Sequence, residues 1–349
     1  MRIMKSQFML ARQIIGFLAI WSGLGLTSST ALAQEPQAAT PQSSKTAAQP
    51  KVLKGGATVN LAYASPDGFG LWIFRPAAFF QLPGMKSLVG TVNGFIAKDL
   101  LHLADPKKLT LSIDSIEQLT AEIVVRKTDK SVTFPATLSV IRVSEPFDWK
   151  KQFKASEVEP PDYVMADDRT IVLESEAEYQ HRQSASPPAF ICCPGWKEVE
   201  HCMIVCVLNN ASSQWIRELG TAFKDLEAET ESRVAARSIR DLNYVIIGVD
   251  ISEGIVVKAF LNFKTEQAAH SLFDLYEASL PEMRKALQEA GKPKIDNEAE
   301  KAIVYAQIDL ARNASVQRKG SVITVRSTAK LALADQGVQR ALASLIASR

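Results

Sequence analysis

Residues Asp241 to Gly291 constrain this chain most, because an alternating apolar pattern there switches abruptly to a helical one. Leu242–Val249 and Ile255–Phe263 are rich in Val, Ile, Tyr and Phe, residues that suit a pleated, half-buried surface. Between them Asp250-Ile251-Ser252-Glu253-Gly254 reads as a turn, with Gly254 supplying a positive φ. In the second run Val257, Ala259, Leu261 and Phe263 alternate with Val256, Lys258, Phe260 and Asn262, so one face is strictly apolar. Beyond it Ala269, Leu272, Phe273, Tyr276, Leu280, Met283 and Leu287 recur at helical spacing. Ser279-Leu280-Pro281-Glu282 resembles a capping box with proline in the first turn, which predicts a restart or kink before Gly291 stops the helix. The unit is a hairpin with a helix laid on it.

Met1–Ala33 has the pattern of a signal peptide. Arg2, Lys5 and Arg12 precede an apolar run of 13 residues, Ile14–Leu26, and Ala31-Leu32-Ala33 makes a small-x-small cleavage site before Gln34. Thirteen residues are too few for a bilayer span, which takes roughly 20. The sequence therefore predicts export with cleavage after Ala33, to the periplasm or medium, and no integral membrane span in the mature form. The formal charge of the whole chain is +2, so loss of those three cations, with no acid lost, leaves −1 on residues 34–349. A near-neutral surface of mixed sign gives no electrostatic reason to expect a nucleic-acid partner. Gln34–Gly56 consists largely of Gln, Ala, Pro, Thr, Ser and Lys, a composition that cannot bury enough surface to offset ordering; it reads as a disordered linker.

From residue 57 onward the chain repeats its grammar. In 57–187, short strands at Val59–Tyr63 and Gly70–Phe74 lead into helical turns at Pro76–Phe80 and around Met85–Ile96. The hairpin Leu119–Lys127 and Val132–Val143 follows, then a brief helix at Pro146–Phe153 and paired strands Asp162–Met165 and Thr170–Glu174. In 188–349, strand Cys202–Leu208 leads to a helix marked by Trp215 to Leu226, and the hairpin and helix described first come next. Helix Asn297–Ala311, hairpin Ala314–Gln317 with Val322–Ser327, and a closing stripe from Val338 to Ile346 complete it. Ile116 overlays Ile239, Phe153 overlays Phe273, and Thr170–Ser175 overlays Val322–Ser327, with offsets of 123, 120 and 152. The fold class expected is α+β: two tandem, similar antiparallel sheets, each with helices on one face, behind the signal peptide and tether.

Several short motifs carry a resemblance. Phe74-Arg75-Pro76, the run Asp167–Val172 and Arg237-Ser238, behind a leader and polar tether, resemble a class of exported proteins of planctomycete-type bacteria. That resemblance spans most of residues 57–349 and implies this architecture. The class has no established activity, so it implies no catalytic residues.

Chemistry has few footholds. Cys192, Cys193, Cys202 and Cys206 are the four cysteines, with His201 among them. In an exported protein an even count is compatible with disulfides in three connectivities, and a bond between neighbours 192 and 193 would be strained. The spacing lacks the paired C-x2-C of a zinc site. The plain alternative is thiols acting as small hydrophobes, with Cys202 and Cys206 on one face of an apolar strand. His102, His181, His201 and His270 show no metal or catalytic spacing, and Gly68-Phe69-Gly70 lacks the third glycine of a phosphate-binding turn. Asp167-Asp168, with Glu174, Glu176 and Glu178 nearby, could hold a cation, but a tight turn already accounts for both aspartates. Trp72, Trp149, Trp196 and Trp215 read as packing residues. No cofactor is implied. The expected function is that of a non-catalytic binding, scaffold or envelope-maintenance protein, its partner an unidentified protein or apolar ligand. The alternatives are a thiol- or metal-dependent protein centred on Cys192–Cys206 and a carrier of a lipid or lipoprotein segment.

Overall fold

A computed structural model describes residues 58–64, 70–95, 110–128, 131–154, 162–174, 179–180, 188–209, 240–251, 254–289, 305–306 and 308–330. The signal peptide, the tether, the helix expected near 215–226 and the closing stripe near 338–346 lie outside the described residues. Ten strands form a single antiparallel sheet. They are β1 (Gly70–Phe74), β2 (Ile116–Thr128), β3 (Ser131–Val143), β4 (Val164–Met165), β5 (Thr170–Leu173), β6 (Ile204–Asn209), β7 (Leu242–Ile251), β8 (Gly254–Phe263), β9 (Ser315–Lys319) and β10 (Val322–Lys330). Their order is β4-β5-β3-β2-β1-β6-β7-β8-β10-β9. Where two separate sheets were expected, the sheet is continuous: β1 pairs β6 along its full length, with Trp72 opposite Cys206.

Read outward from that seam, the two halves have the same strand order, and their registers agree as well. The row Phe74, Leu119, Ile141, Ile171, Met165 crosses the first half. Its counterpart in the second half is Leu208, Val245, Leu261, Ile323, Arg318. Each central hairpin also carries a register shift just after its first residue, between Ile116 and Gln118 and between Leu242 and Tyr244. A shift of this kind is a β-bulge, which bends and twists a strand. The bulges align Ile116 with Leu242, an offset of 126 rather than the 123 of the sequence overlay. The offset of 152 between Thr170 and Val322 matches the register.

The front of the sheet carries the helical cover in the first half. Helices α1 (Pro76–Phe80), α2 (Val89–Phe95) and α3 (Trp149–Lys154) follow their strands closely. Phe80, Leu82, Met85, Leu88, Trp149 and Phe153 pack on Ile141 and Ile171 in one apolar cluster. In the second half the Ser327 hydroxyl donates to the Leu310 carbonyl, which places residues 308–312 over the same face. Helix α5 (Glu266–Glu289) runs unbroken through Pro281, so the expected restart is absent. Gly254 opens β8 and is not one of the positive-φ glycines. Its role is close approach, since a Cβ there would lie 2.4 Å from the Ala329 carbonyl oxygen.

Cover is not confined to the front, as the helices-on-one-face expectation had it. On the back, the short helix α4 (Trp196–Val199) and the 3-10 turn Ala189–Cys192 pack Phe190, Trp196 and Val199 onto Leu71, Ile73, Val205, Val207 and Ile246. Residues 58–64, within which Val59–Tyr63 was expected as a strand, instead cross this face as an irregular strap. Val59 joins the central cluster, while Tyr63 packs beside Val140, Val164, Val172 and Tyr179.

Candidate functional site

The back of the seam is where the polar groups of both halves converge. Arg75 leaves the end of β1, is 6 % exposed, and donates from Nη2 to the Glu200 carbonyl at 2.8 Å. Its own N–H bonds the Met203 carbonyl at 3.1 Å, so the turn after α4 is held by the first half. Burial lowers the guanidinium's pKa from its ordinary value, opposed by the charges of Cys202, Glu117 and Asp250. Asp250, buried on β7, accepts from the Met203 N–H at 3.0 Å and from the Cys202 thiol at 3.3 Å. Glu200 takes Lys197 Nζ at 3.3 Å and lies 3.6 Å from His201 Nε2. These contacts fix the entry into β6.

All four cysteines are free thiols. Cys192 is exposed at the end of its 3-10 turn and Cys193 is half-buried beside it. Cys202 and Cys206 do not share a face: the bend before β6 turns Cys202 into the back cluster. Strand alternation points Cys206 away from its back-facing neighbours Val205 and Val207. Gly248 makes room for the first, because a Cβ there would come within 2.7 Å of Cys202 Sγ and Val199 Cβ. Burial pushes the Cys202 thiol up to about 12, with the nearby Asp250 carboxyl adding to it. Burial alone pushes Cys206 to about 12, and burial with Cys192 nearby takes Cys193 to about 11. A thiol with such a pKa carries almost no thiolate at neutral pH and is a poor nucleophile or metal ligand.

In the Asp167-Asp168 turn the charge of Asp167 is already met. Asp167 Oδ1 accepts from the Arg169 N–H at 2.8 Å, and its Oδ2 lies 3.5 Å from Arg142 Nη1. Partial burial raises its pKa, but those hydrogen bonds, the bonds from Thr170 and the Arg142 charge together hold it below its ordinary value. Glu117 completes the group, 2.6 Å from Arg169 Nη2 and 3.3 Å from Arg142 Nε. Glu176 and Glu178 lie outside the described residues, as do His102, His181 and Trp215. His270 faces Asp274 on the exposed side of α5. Trp149 and Trp196 are fully buried, and Trp72 sits half-buried at the seam. Among the described residues no group of three or more His, Cys, Asp or Glu side chains could hold a metal ion. No described helix is long and apolar enough to cross a membrane.

Sequence reasoning did not single out Gln118, Thr120 and Glu122. Alternation along β2 makes them look like a solvated face, yet they are 7 %, 4 % and 1 % exposed. The strap and Tyr179 cover that face, and Gln118 binds the strap's main chain at Asn60. A three-residue polar stripe flanked by apolar neighbours was the available signal. Comparison with protein-family models, curated proteins and solved structures finds no match for this chain.

Proposed function

We propose that the protein is an exported, non-catalytic binding, scaffold or envelope-maintenance protein of the class it resembles, released by cleavage after Ala33. The observation that supports this reading most is how its reactive groups are engaged at the seam. Arg75 bonds the Glu200 and Met203 carbonyls of the other half, and Asp250 takes the Cys202 thiol and the Met203 N–H, so these groups hold two like halves in one sheet. Ten strands at about 4.8 Å spacing give a platform roughly 40 Å across. Such a width suits holding a partner better than enclosing a small substrate. The outer strand β9 exposes Arg318 and Lys319, which discourages indiscriminate edge pairing.

Native mass measurement of protein purified from its own host tests the reading. The expected spectrum shows the chain from Gln34 onward, alone or with a protein partner. A stoichiometric lipid would overturn it in favour of carriage, and a stoichiometric metal in favour of the cysteine region.

A further inference from the structure

The strap, residues 58–64, belongs to no strand, yet it is held the way a peptide ligand is held. Gln118, itself almost fully buried, uses both ends of its side-chain amide: Oε1 accepts from the Asn60 N–H at 2.9 Å, and Nε2 donates to the Asn60 carbonyl at 2.8 Å. A neighbouring strand offers the same donor–acceptor pair, so this contact reads main chain and is indifferent to the side chain at position 60. From the other half, the Glu200 carbonyl accepts the Val59 N–H at 3.3 Å. Val59 is buried against Leu71, Ile73, Val205 and Val207, with Leu61 packed beside it. At the strap's far end Tyr63 stacks on Tyr179, ring centres 6.2 Å apart. The groove thus has a main-chain clamp, an aliphatic floor and an aromatic shelf, built from both halves of the sheet.

We propose that this groove is a peptide-binding site which residues 58–64 fill as an internal ligand, and which a second copy of this chain can fill with its own residues 58–64. The strap alone supplies every contact just described, so exchange between two copies conserves them all, the condition under which swapping costs little. Five residues separate the strap from β1, so the six steps from Ala64 to Gly70 reach at most roughly 21 Å. The exchange therefore pairs two back faces directly. This inference stands apart from the export and scaffold reading, because purified protein tests it without the host.

The test uses the full chain and a fluorescent peptide of residues 57–64. In the variant Val59→Asp/Leu61→Asp the internal strap no longer fits the floor. The peptide should then bind at least tenfold tighter than to the unaltered protein, and Gln118→Leu added to the variant should abolish binding. A variant that melts like the unaltered protein but binds no peptide overturns the proposal. If the variant does not fold, hydrogen exchange on the unaltered protein decides. Val59 and Asn60 amides that exchange at least 100-fold faster than the β1·β6 amides support a displaceable ligand, and equally slow exchange overturns one. Light scattering tests the second copy: a concentration-dependent dimer that the double variant lacks supports it, and a monomer at every concentration overturns it.

Discussion

Cys202 and Cys206 are both buried thiols with different neighbours, so serine should separate them. Cys202 already donates to Asp250 Oδ2 at 3.3 Å, and a serine hydroxyl can take over as a stronger donor. Cys202→Ser should cost no more than about 0.5–1 kcal/mol, the size of a modest change in one hydrogen bond. Cys202→Ala removes the donor and leaves the buried carboxyl one partner short, a loss of about 2–3 kcal/mol. Cys206 faces Trp72 and Ile247 across its two ladders. Cys206→Ser therefore buries a hydroxyl among apolar groups at about 1–3 kcal/mol. At about 2 °C per kcal/mol for a unit of this size, melting should fall by about 4–6 °C for Cys202→Ala and by about 1–2 °C for Cys202→Ser. Thermal melts of the three variants, monitored by circular dichroism at neutral pH, give the order directly. The reasoning fails if Cys202→Ser is as damaging as Cys202→Ala, or if Cys206→Ser is the mildest of the three.

Thiol chemistry gives two further expectations. A thiol reagent at pH 8 should label Cys192 fast and the other three at least about 100-fold more slowly, since they carry little thiolate and Cys202 and Cys206 are also buried; mass mapping of the first-labelled peptide checks this. The thiols at 193, 202 and 206 have folded pKa values raised to about 11–12 from the ordinary 9. The folded state thus holds their protons longer, and stability should fall as pH rises from about 9 towards 12. Melting temperature followed over that range tests this, and replacing Cys206 by Ala should flatten the decline. Gly248→Ala should destabilise by about 1–3 kcal/mol, because its methyl meets Val199 and Cys202 at 2.7 Å; urea melts read this. N-terminal sequencing of exported protein should begin at Gln34, and material still starting at Met1 would count against the leader.

Most strands were legible from β-branched and aromatic runs with one apolar face. The hairpin β7–β8 follows from two Val-, Ile- and aromatic-rich runs around a turn, and the equivalence of Thr170 and Val322 follows from the order of elements. Other features depend on contacts distant in sequence. Whether β1 and β6 end a sheet or join two halves is decided by their pairing with each other, and neither strand's pattern encodes a partner 134 positions away. The strap was misread as a strand because Val59, Leu61 and Tyr63 alternate; their neighbours bond a glutamine side chain and a carbonyl instead of a ladder. Cys202 changed face because the chain bends at residues 201–203, a local turn that period-two reasoning passes over. Pro281 did not end α5, since a proline removes only one of the hydrogen bonds of a 24-residue helix.

The matched registers give Trp72 and Cys206 equivalent places in their halves, and these two residues face each other across the seam. A local two-fold axis running between them would require any two identical halves to set a residue against itself. Directly opposed side chains stand only about 5 Å apart. Two identical halves would set either two tryptophans or two cysteines there, a pair of equal volume in either case. One chain carrying both halves can instead set the largest side chain against one of the smallest. The seam is therefore symmetric in its backbone register and asymmetric in side-chain volume, a large residue from one half meeting a small one from the other.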